Sequence, residues 1–250
     1  MSTVAGVIPA RWGSTRFPGK ILAPIGGKPL VQWVWEQAGQ AGSLDHLLVA
    51  TDDERILTAV QAFGGRAVMT RPDHPSGTDR IAEAIRELDV NAVVNIQGDE
   101  PLIDPGLIDE LAREMSAGAS WDMVTAAEPI REAALVDQPS VVKVVCDETG
   151  RALYFSRAPI PYVREKDGGA PAEGLYLRHI GIYGYRRTFL ERLVNTPPSR
   201  LEQAEKLEQL RALHVGGRMK VIITETTALG VDEPGDVARA EEALRRAGRM

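Results

Sequence analysis

The sequence predicts an α/β chain, with a mostly parallel, helix-covered sheet and a small inserted antiparallel lobe. Through about residue 120, short apolar runs alternate with amphipathic segments at helical spacing, the rhythm of a parallel sheet with helices on its faces. Beyond it the rhythm changes, and "VVKVVCDETGRALYFSRAPIP" looks like two strands joined by a short turn. At 250 residues and 44% hydrophobic content, the chain can bury a substantial core as one domain carrying a lobe at about 141–190.

Each element follows in order. "VAGVIPA" reads as a buried strand, and "PLVQWVWEQAGQAG" sets Leu30, Val34 and Ala38 at helical spacing, with Pro29 suited to a first helical turn. "HLLVATDD" is a second strand and "ERILTAVQAFGG" a helix closed by glycines. "RAVMT" and "NAVVNIQ" are further strands, followed by the helices "DRIAEAIREL" and "GLIDELAREM". "VVKVVCDETGRALYFSRAPIP" is a strand pair turning at Asp147–Gly150, and "REKDGGAPAEG" a flexible loop. "LRHIGIYGYRR" is a strand, "LEQAEKLEQLRALHVG" one amphipathic helix, "MKVIITET" a strand and "DVARAEEALRRAG" a terminal helix.

Charge and cysteine usage narrow the functional classes. A formal charge of −6 argues against nonspecific nucleic-acid or membrane-surface binding, which favours a basic face. The one cysteine, Cys146, excludes an internal disulfide framework and a cysteine zinc site, and within "VVKVVC" it reads as a packed strand residue. No signal-peptide pattern and no bilayer-length apolar run occur, so a soluble, cytoplasmic protein is expected.

Against that acidic background, "IPARWGSTRFPGK" places Arg11, Arg16 and Lys20 among Gly13, Pro18 and Gly19 at the end of the first strand. Ligands of open parallel sheets bind beyond the carboxyl ends of strands. Glycines there let backbone N–H groups approach an anion, and Arg and Lys add charge-assisted hydrogen bonds to phosphate oxygens. The spacing is not that of a P-loop, because five residues separate Gly13 from Gly19 and Ile21 follows Lys20. Nor is it a dinucleotide fingerprint, which disfavours a dehydrogenase or a standard NTPase. A solvated basic loop is the plainer reading of any one of these cations; three with two glycines favour phosphate.

"IPARWGSTRFPGK", "MTRPDHPSGTDR", "NIQGDEP", "ALYFSRAPIP", "RHIGIYGYR", "EKLEQLRAL" and "GVDEPGD" occur in the order found in the 3-deoxy-manno-octulosonate (Kdo) cytidylyltransferases. The chain resembles that family from residue 8 to about residue 236. The first motif is common to sugar nucleotidyltransferases; the full series is far more specific. The resemblance implies a Rossmann-like nucleotidyltransferase core, CTP and an acidic octulosonate sugar as partners, Mg2+ as cofactor, and a homodimer. It also implies transfer of CMP to the sugar's anomeric hydroxyl for lipopolysaccharide synthesis.

Carried over residue by residue, the resemblance gives Ala10, Arg11, Ser14 and Lys20 to the nucleotide, with Arg11 and Lys20 at its phosphates and Ser14 and Arg16 beside them. Arg71, Ser76, Gly77 and Thr78 match a cytosine-reading segment, although Ser76 and Thr78 can equally cap the next helix. Asp99 and Asp232 match metal carboxylates, and with Arg11 and Lys20 form the catalytic set. Gln97 is a nucleotide or sugar contact. Arg157, Arg164, His179, Tyr183, Glu208 and Gln209 are implied sugar contacts. His46, His74 and His214 receive no role, and Asp52-Asp53 read as favourable charge at a helix N-terminus. A sialic acid or 8-amino-Kdo cytidylyltransferase, a catalytically silent nucleotide binder and a metal-dependent glycosyltransferase remain as alternatives.

Overall fold

Strand β1 (Val4–Ala10) is buried on both faces, as a run of small and β-branched residues beneath helices requires. The computed structural model describes residues 3–14, 16–118, 120–164, 174–225 and 229–250. After β1 the chain forms a loop, a 3₁₀ turn at Lys20–Leu22 and a tight hairpin of β2 (Pro24–Ile25) and β3 (Lys28–Pro29). Gly26 and Gly27, at φ 55° and 84°, supply the paired positive φ angles that a two-residue hairpin turn needs. Helix α1 (Leu30–Ala38) starts directly after Pro29, which caps it instead of forming its first turn.

Next come β4 (His46–Thr51), α2 (Glu54–Ala62), β5 (Ala67–Met69), α3 (Gly77–Ala84), β6 (Ala92–Asn95) and α4 (Pro105–Ser116). These three strands run parallel with β1 in the order β6-β1-β4-β5. The chain thus steps from β1 toward β4 and β5 and then returns to β6 on the other side. That reversal opens a crevice at the carboxyl ends of β1 and β6, where ligands of such sheets bind.

A second compact unit spans Ala117–Thr227. It contains β7 (Met123–Pro129), a short α5 (Ala133–Val136), β8 (Lys143–Cys146), β9 (Ala152–Ser156), β10 (Leu177–Arg186), α6 (Arg187–Val194), α7 (Arg200–Glu205), α8 (Gln209–His214) and β11 (Met219–Ile223). Its strands lie in the order β11-β7-β10-β8-β9, with β11 parallel to β7 and the other pairs antiparallel. Segment 141–190, expected as an antiparallel lobe, lies inside this unit. The loop expected over "REKDGGAPAEG" falls mostly on residues outside those described.

The chain then rejoins the first unit through α9 (Asp236–Arg246), whose Ala240 and Leu244 pack with Ile25, Leu30, Trp33 and Val231. Trp33 buries its ring in this cluster because its indole N–H donates to the Ile25 carbonyl at 2.8 Å.

One sequence expectation is corrected. "LEQAEKLEQLRALHVG" is two helices, because Lys206 takes a left-handed φ of 53° and stops α7. Ser199 and Glu202 form a capping box on α7, and Glu202 also pairs with the Arg211 guanidinium of α8 at 2.5 and 2.9 Å. Apolar residues recur every three positions across the break, at Leu201, Ala204, Leu207 and Leu210, so periodicity alone reads as one helix.

Candidate functional site

The loop after β1 is closed on the Trp12 carbonyl, which accepts from Ser14 N–H at 2.9 Å and Gly19 N–H at 3.1 Å. Gly19 is left-handed at φ 71°, and a Cβ there would sit 2.9 Å from the Trp12 ring. The same ring carries the Arg55 guanidinium at 3.4 Å, itself fixed by Asp53. Gly19→Ala is therefore expected to lower stability by about 1–2 kcal/mol. Gly13→Ala, where a Cβ meets nothing within 4 Å, should stay within about 0.5 kcal/mol. Urea unfolding of the two variants checks the contrast.

This loop lines a cavity of about 360 Å³ in the first unit, a size typical of small-ligand clefts. Arg11, Ser14, Arg16 and Lys20 enter from the loop, and Gln97, Gly98 and Asp99 from the end of β6. Ser76 and Gly77 come from the start of α3, and Asp232 from the turn before α9. Gly98 lets the backbone pack closely here, since a Cβ would lie 3.0 Å from the Pro9 carbonyl and 3.2 Å from Ile21, both of which would have to give way by a few tenths of an ångström.

Lys20 is the centre of the charge arrangement. Its ammonium, on a side chain only 13% exposed, donates to Asp99 at 2.5 Å and to Asp232 and the Val231 carbonyl at 3.2 Å each. Residues 79 and 212 positions away meet here because Val231 N–H donates to the Asp99 carbonyl at 2.9 Å, joining the two loops. Asp236 then accepts the N–H groups of Asp232 and Glu233 at 2.9 and 3.0 Å, which holds its own carboxyl below the ordinary value. Arg16 reaches Asp232 at 3.2 Å.

The carboxylate pair fits a hard divalent cation. Asp99 and Asp232 already share one positive charge, and they keep 27% and 50% of their side chains exposed. Magnesium characteristically takes one or two carboxylates and fills its remaining positions with water and phosphate oxygens. No group of three or more His, Cys, Asp or Glu gathers into an all-protein cage among the described residues.

Ser76 caps α3, accepting Asp79 N–H at 3.3 Å and donating to the Asp79 carboxylate at 2.7 Å. That leaves backbone groups of Pro75–Gly77 as this segment's means of touching a ligand. Thr78 is buried, Ala10 is buried at the strand end, and Arg71 bonds Glu83. These three do not line the cavity, although the sequence placed them with the nucleotide contacts.

Among the lining residues that were not anticipated, two carry titratable side chains, His74 and Arg80. His74 pairs with Glu83; burial raises that carboxyl, but His74 and Arg71 outweigh it and hold the group below its usual value. Arg80 is buried, bonded to Asp52 at 2.7 Å and Thr70 at 2.5 Å. Its position four residues after Ser76, one helical turn, is the signal that would have placed it on the cavity side of α3.

In the second unit, a bulge between Ile180 and Tyr183 frees β10 carbonyls opposite β7. The Thr125 hydroxyl lies 2.8 Å from the Ile182 carbonyl and 3.0 Å from His179 Nε2. Thr125 has one hydrogen; donated to a carbonyl, it leaves the oxygen to accept from a neutral Nε2–H tautomer. Phe155 and Tyr183 ring the imidazole at 5.0 and 5.4 Å. Burial pushes the His179 pKa down to about 3, and burial, followed by the Glu208 charge, pushes the Tyr183 hydroxyl up.

His179 thus refuses a proton that the unfolded chain accepts below about pH 6.5, so it subtracts stability as pH falls from 6.5 toward 3. His179→Gln should flatten the acid side of the stability profile, read as urea midpoint against pH. Arg157 is engaged by backbone, donating to the carbonyls of Glu205 at 2.7 Å, Pro139 at 2.9 Å and Lys206 at 3.4 Å. Arg164 is exposed, while Gln209 is buried at the start of α8, directly after Glu208. Cys146, whose thiol is pushed up to about 11 by burial and then by Asp147, offers no nucleophile.

Residues 5–221 match the cytidylyltransferase family model. A 3-deoxy-manno-octulosonate cytidylyltransferase of Geotalea daltonii is 48% identical over 98% of this chain and 99% of its own length. One from Syntrophobacter fumaroxidans is 49% identical over 94% of each. A solved CMP:2-keto-3-deoxy-manno-octonic acid synthetase, complexed with CTP, superposes with a TM-score of 0.92 at 42% identity, covering 98% of this chain and 100% of that one. This chain belongs to the 3-deoxy-manno-octulosonate cytidylyltransferase family.

Proposed function

We propose that this protein transfers CMP from CTP to the anomeric hydroxyl of 3-deoxy-D-manno-octulosonate, releasing pyrophosphate. The observation that carries the reading is the cluster of Arg11, Arg16 and Lys20 with Asp99 and Asp232 around one cavity at the strand-order reversal. A polyphosphate needs such cations, and the carboxylates suit the cation it travels with. A relative of 42% identity solved with CTP supports the nucleotide.

In this account the sugar hydroxyl oxygen attacks the α-phosphorus. A P–O bond to the sugar forms, the P–O bond to the β-phosphate breaks, and pyrophosphate leaves with the bonding electrons. The hydroxyl proton passes to solvent. Lys20 and Arg11 neutralise charge on the α-phosphate and the departing pyrophosphate. Backbone groups of Pro75–Gly77 read the cytosine edge, whose N4 donor and N3 and O2 acceptors suit carbonyl and N–H partners, within the segment that also carries Arg71 and Thr78. Gln97 contacts ribose or sugar.

Magnesium, held by Asp99 and Asp232, would supply Lewis-acid polarisation of the phosphate and a lowered hydroxyl pKa. His179, whose Nε2–H is spent on Thr125 and whose Nδ1 is left to accept from a sugar hydroxyl, binds the acidic sugar together with Tyr183, Glu208 and Gln209, with Arg164 contributing charge; Arg157 acts by holding the backbone beside them. The protein works as a cytoplasmic homodimer supplying lipopolysaccharide synthesis.

Titration calorimetry with CTP, UTP, ATP and GTP in magnesium tests the nucleotide assignment. Heat with CTP alone supports it; preference for another nucleotide moves the base reading. A sugar panel of Kdo, 8-amino-8-deoxy-Kdo and sialic acid in the presence of CTP then assigns the acceptor.

A further inference from the structure

Asp52 stands outside the cation cluster, yet both of its oxygens are engaged by elements that build the cavity. Oδ1 lies 3.4 Å from the Trp12 N–H, in the loop that carries Arg11, Ser14, Arg16 and Lys20. Oδ2 accepts from Arg80 Nη2 at 2.7 Å, and Arg80 Nη1 donates to the Thr70 hydroxyl at 2.5 Å. Thr70 in turn is tied to β4, its N–H and hydroxyl donating to the Thr51 carbonyl at 2.8 and 3.0 Å. Arg80 lines the cavity one helical turn after the Ser76 cap.

The Asp52 and Arg80 side chains are 14% and 4% exposed, so the pair interacts where water screens it little. Next along the chain, Asp53 clamps Arg55 against the Trp12 ring, adding a second hold on the same loop. One short junction, the end of β4, thereby joins the cation loop to the start of α3.

We propose that Asp52, with Arg80, is a positioning residue that couples the phosphate-binding loop to the base-reading segment, so that triphosphate and base are bound as one ligand. This rests on the nucleotide reading above. Neither side chain needs to touch the reacting atoms. Arg80 spends Nη1 and Nη2 on Thr70 and Asp52, and Asp52 spends its oxygens on Arg80 and the Trp12 amide. The helix-charge explanation of "DD" from sequence holds for Asp53, which accepts Arg55 N–H at the start of α2. It leaves Asp52 unexplained.

The test is Asp52→Asn, which keeps shape and an acceptor for Trp12 but removes the charge facing Arg80. The expected result is a KM for CTP raised about tenfold or more, with kcat at saturating CTP within about threefold of wild type and an unchanged KM for the sugar. Asp52→Glu, restoring the charge, should recover part of the loss. A purely structural role would instead lower the melting temperature and the active fraction, reducing kcat while leaving KM for CTP alone; that result overturns the proposal.

If Asp52→Asn does not fold, the double variant Asp52→Asn/Arg80→Met carries the same test without a stranded buried guanidinium. Wild-type protein that binds no CTP by calorimetry would overturn the nucleotide reading and this proposal together. Wild type that binds CTP while the variant keeps its KM would overturn this proposal only.

Discussion

Replacing Lys20 with Met is expected to lower turnover by about a thousandfold while leaving the fold in place. Among the described residues, Lys20 is the one side chain that touches both carboxylates, at 2.5 and 3.2 Å. It also reaches the Val231 carbonyl at 3.2 Å on the turn that presents Asp232. Its ammonium is thus preorganised at a point where a triphosphate can exchange for carboxylate as its partner. Removing one such preorganised group typically costs about 10²–10³ in rate. The additional loss comes from two carboxylates left facing the incoming anion without their shared counter-ion.

Met keeps the apolar stem, and both carboxylates remain partly solvated, so the expected stability loss is about 1 kcal/mol. Pyrophosphate-release kinetics and thermal unfolding by circular dichroism separate the two effects. Turnover within tenfold of wild type would remove Lys20 from the catalytic set.

Asp99→Asn is expected to reduce turnover by about 10²–10³ with no loss of nucleotide binding in the absence of metal. Asparagine fills the same volume and leaves Lys20 paired with Asp232, so folding is little changed. Deleting an anion from the cavity weakens its repulsion of a triphosphate, and metal-free CTP should bind as tightly as before or more tightly. With magnesium present, the variant should lose rate and need a higher metal concentration to reach its maximum. Binding by calorimetry in EDTA, against turnover over a magnesium series, distinguishes this from simple damage to the cavity. Weaker metal-free binding together with an unchanged magnesium dependence would mean that Asp99 serves the nucleotide and not the metal.

The fold was legible where local pattern and tertiary structure agree. The alternating first half, with β1 and β6 as buried apolar runs and α1 to α4 as one-faced helices, follows from periodicity that burial then satisfies. Strand β7, Met123–Pro129, went unread because "MVTAAEP" carries small residues and a threonine whose hydroxyl is satisfied by bulged carbonyls of β10. The break at Lys206 was invisible because a left-handed backbone at a lysine has no sequence signature.

At the site, motif residues with charge and glycine around them could be read in advance. Arg80 and His74 could not, because their partners Asp52 and Glu83 identify them only through folding. Nothing in the residue types told in advance that Arg157 would spend its guanidinium on backbone carbonyls.

The most direct test of the account is pyrophosphate release by the purified protein with magnesium, CTP and Kdo, each omitted in turn. The account requires release that depends on all three, and that falls about a thousandfold in Lys20→Met and about 10²–10³ in Asp99→Asn. Release that persists without Kdo, or no release from protein that demonstrably binds CTP, would contradict it.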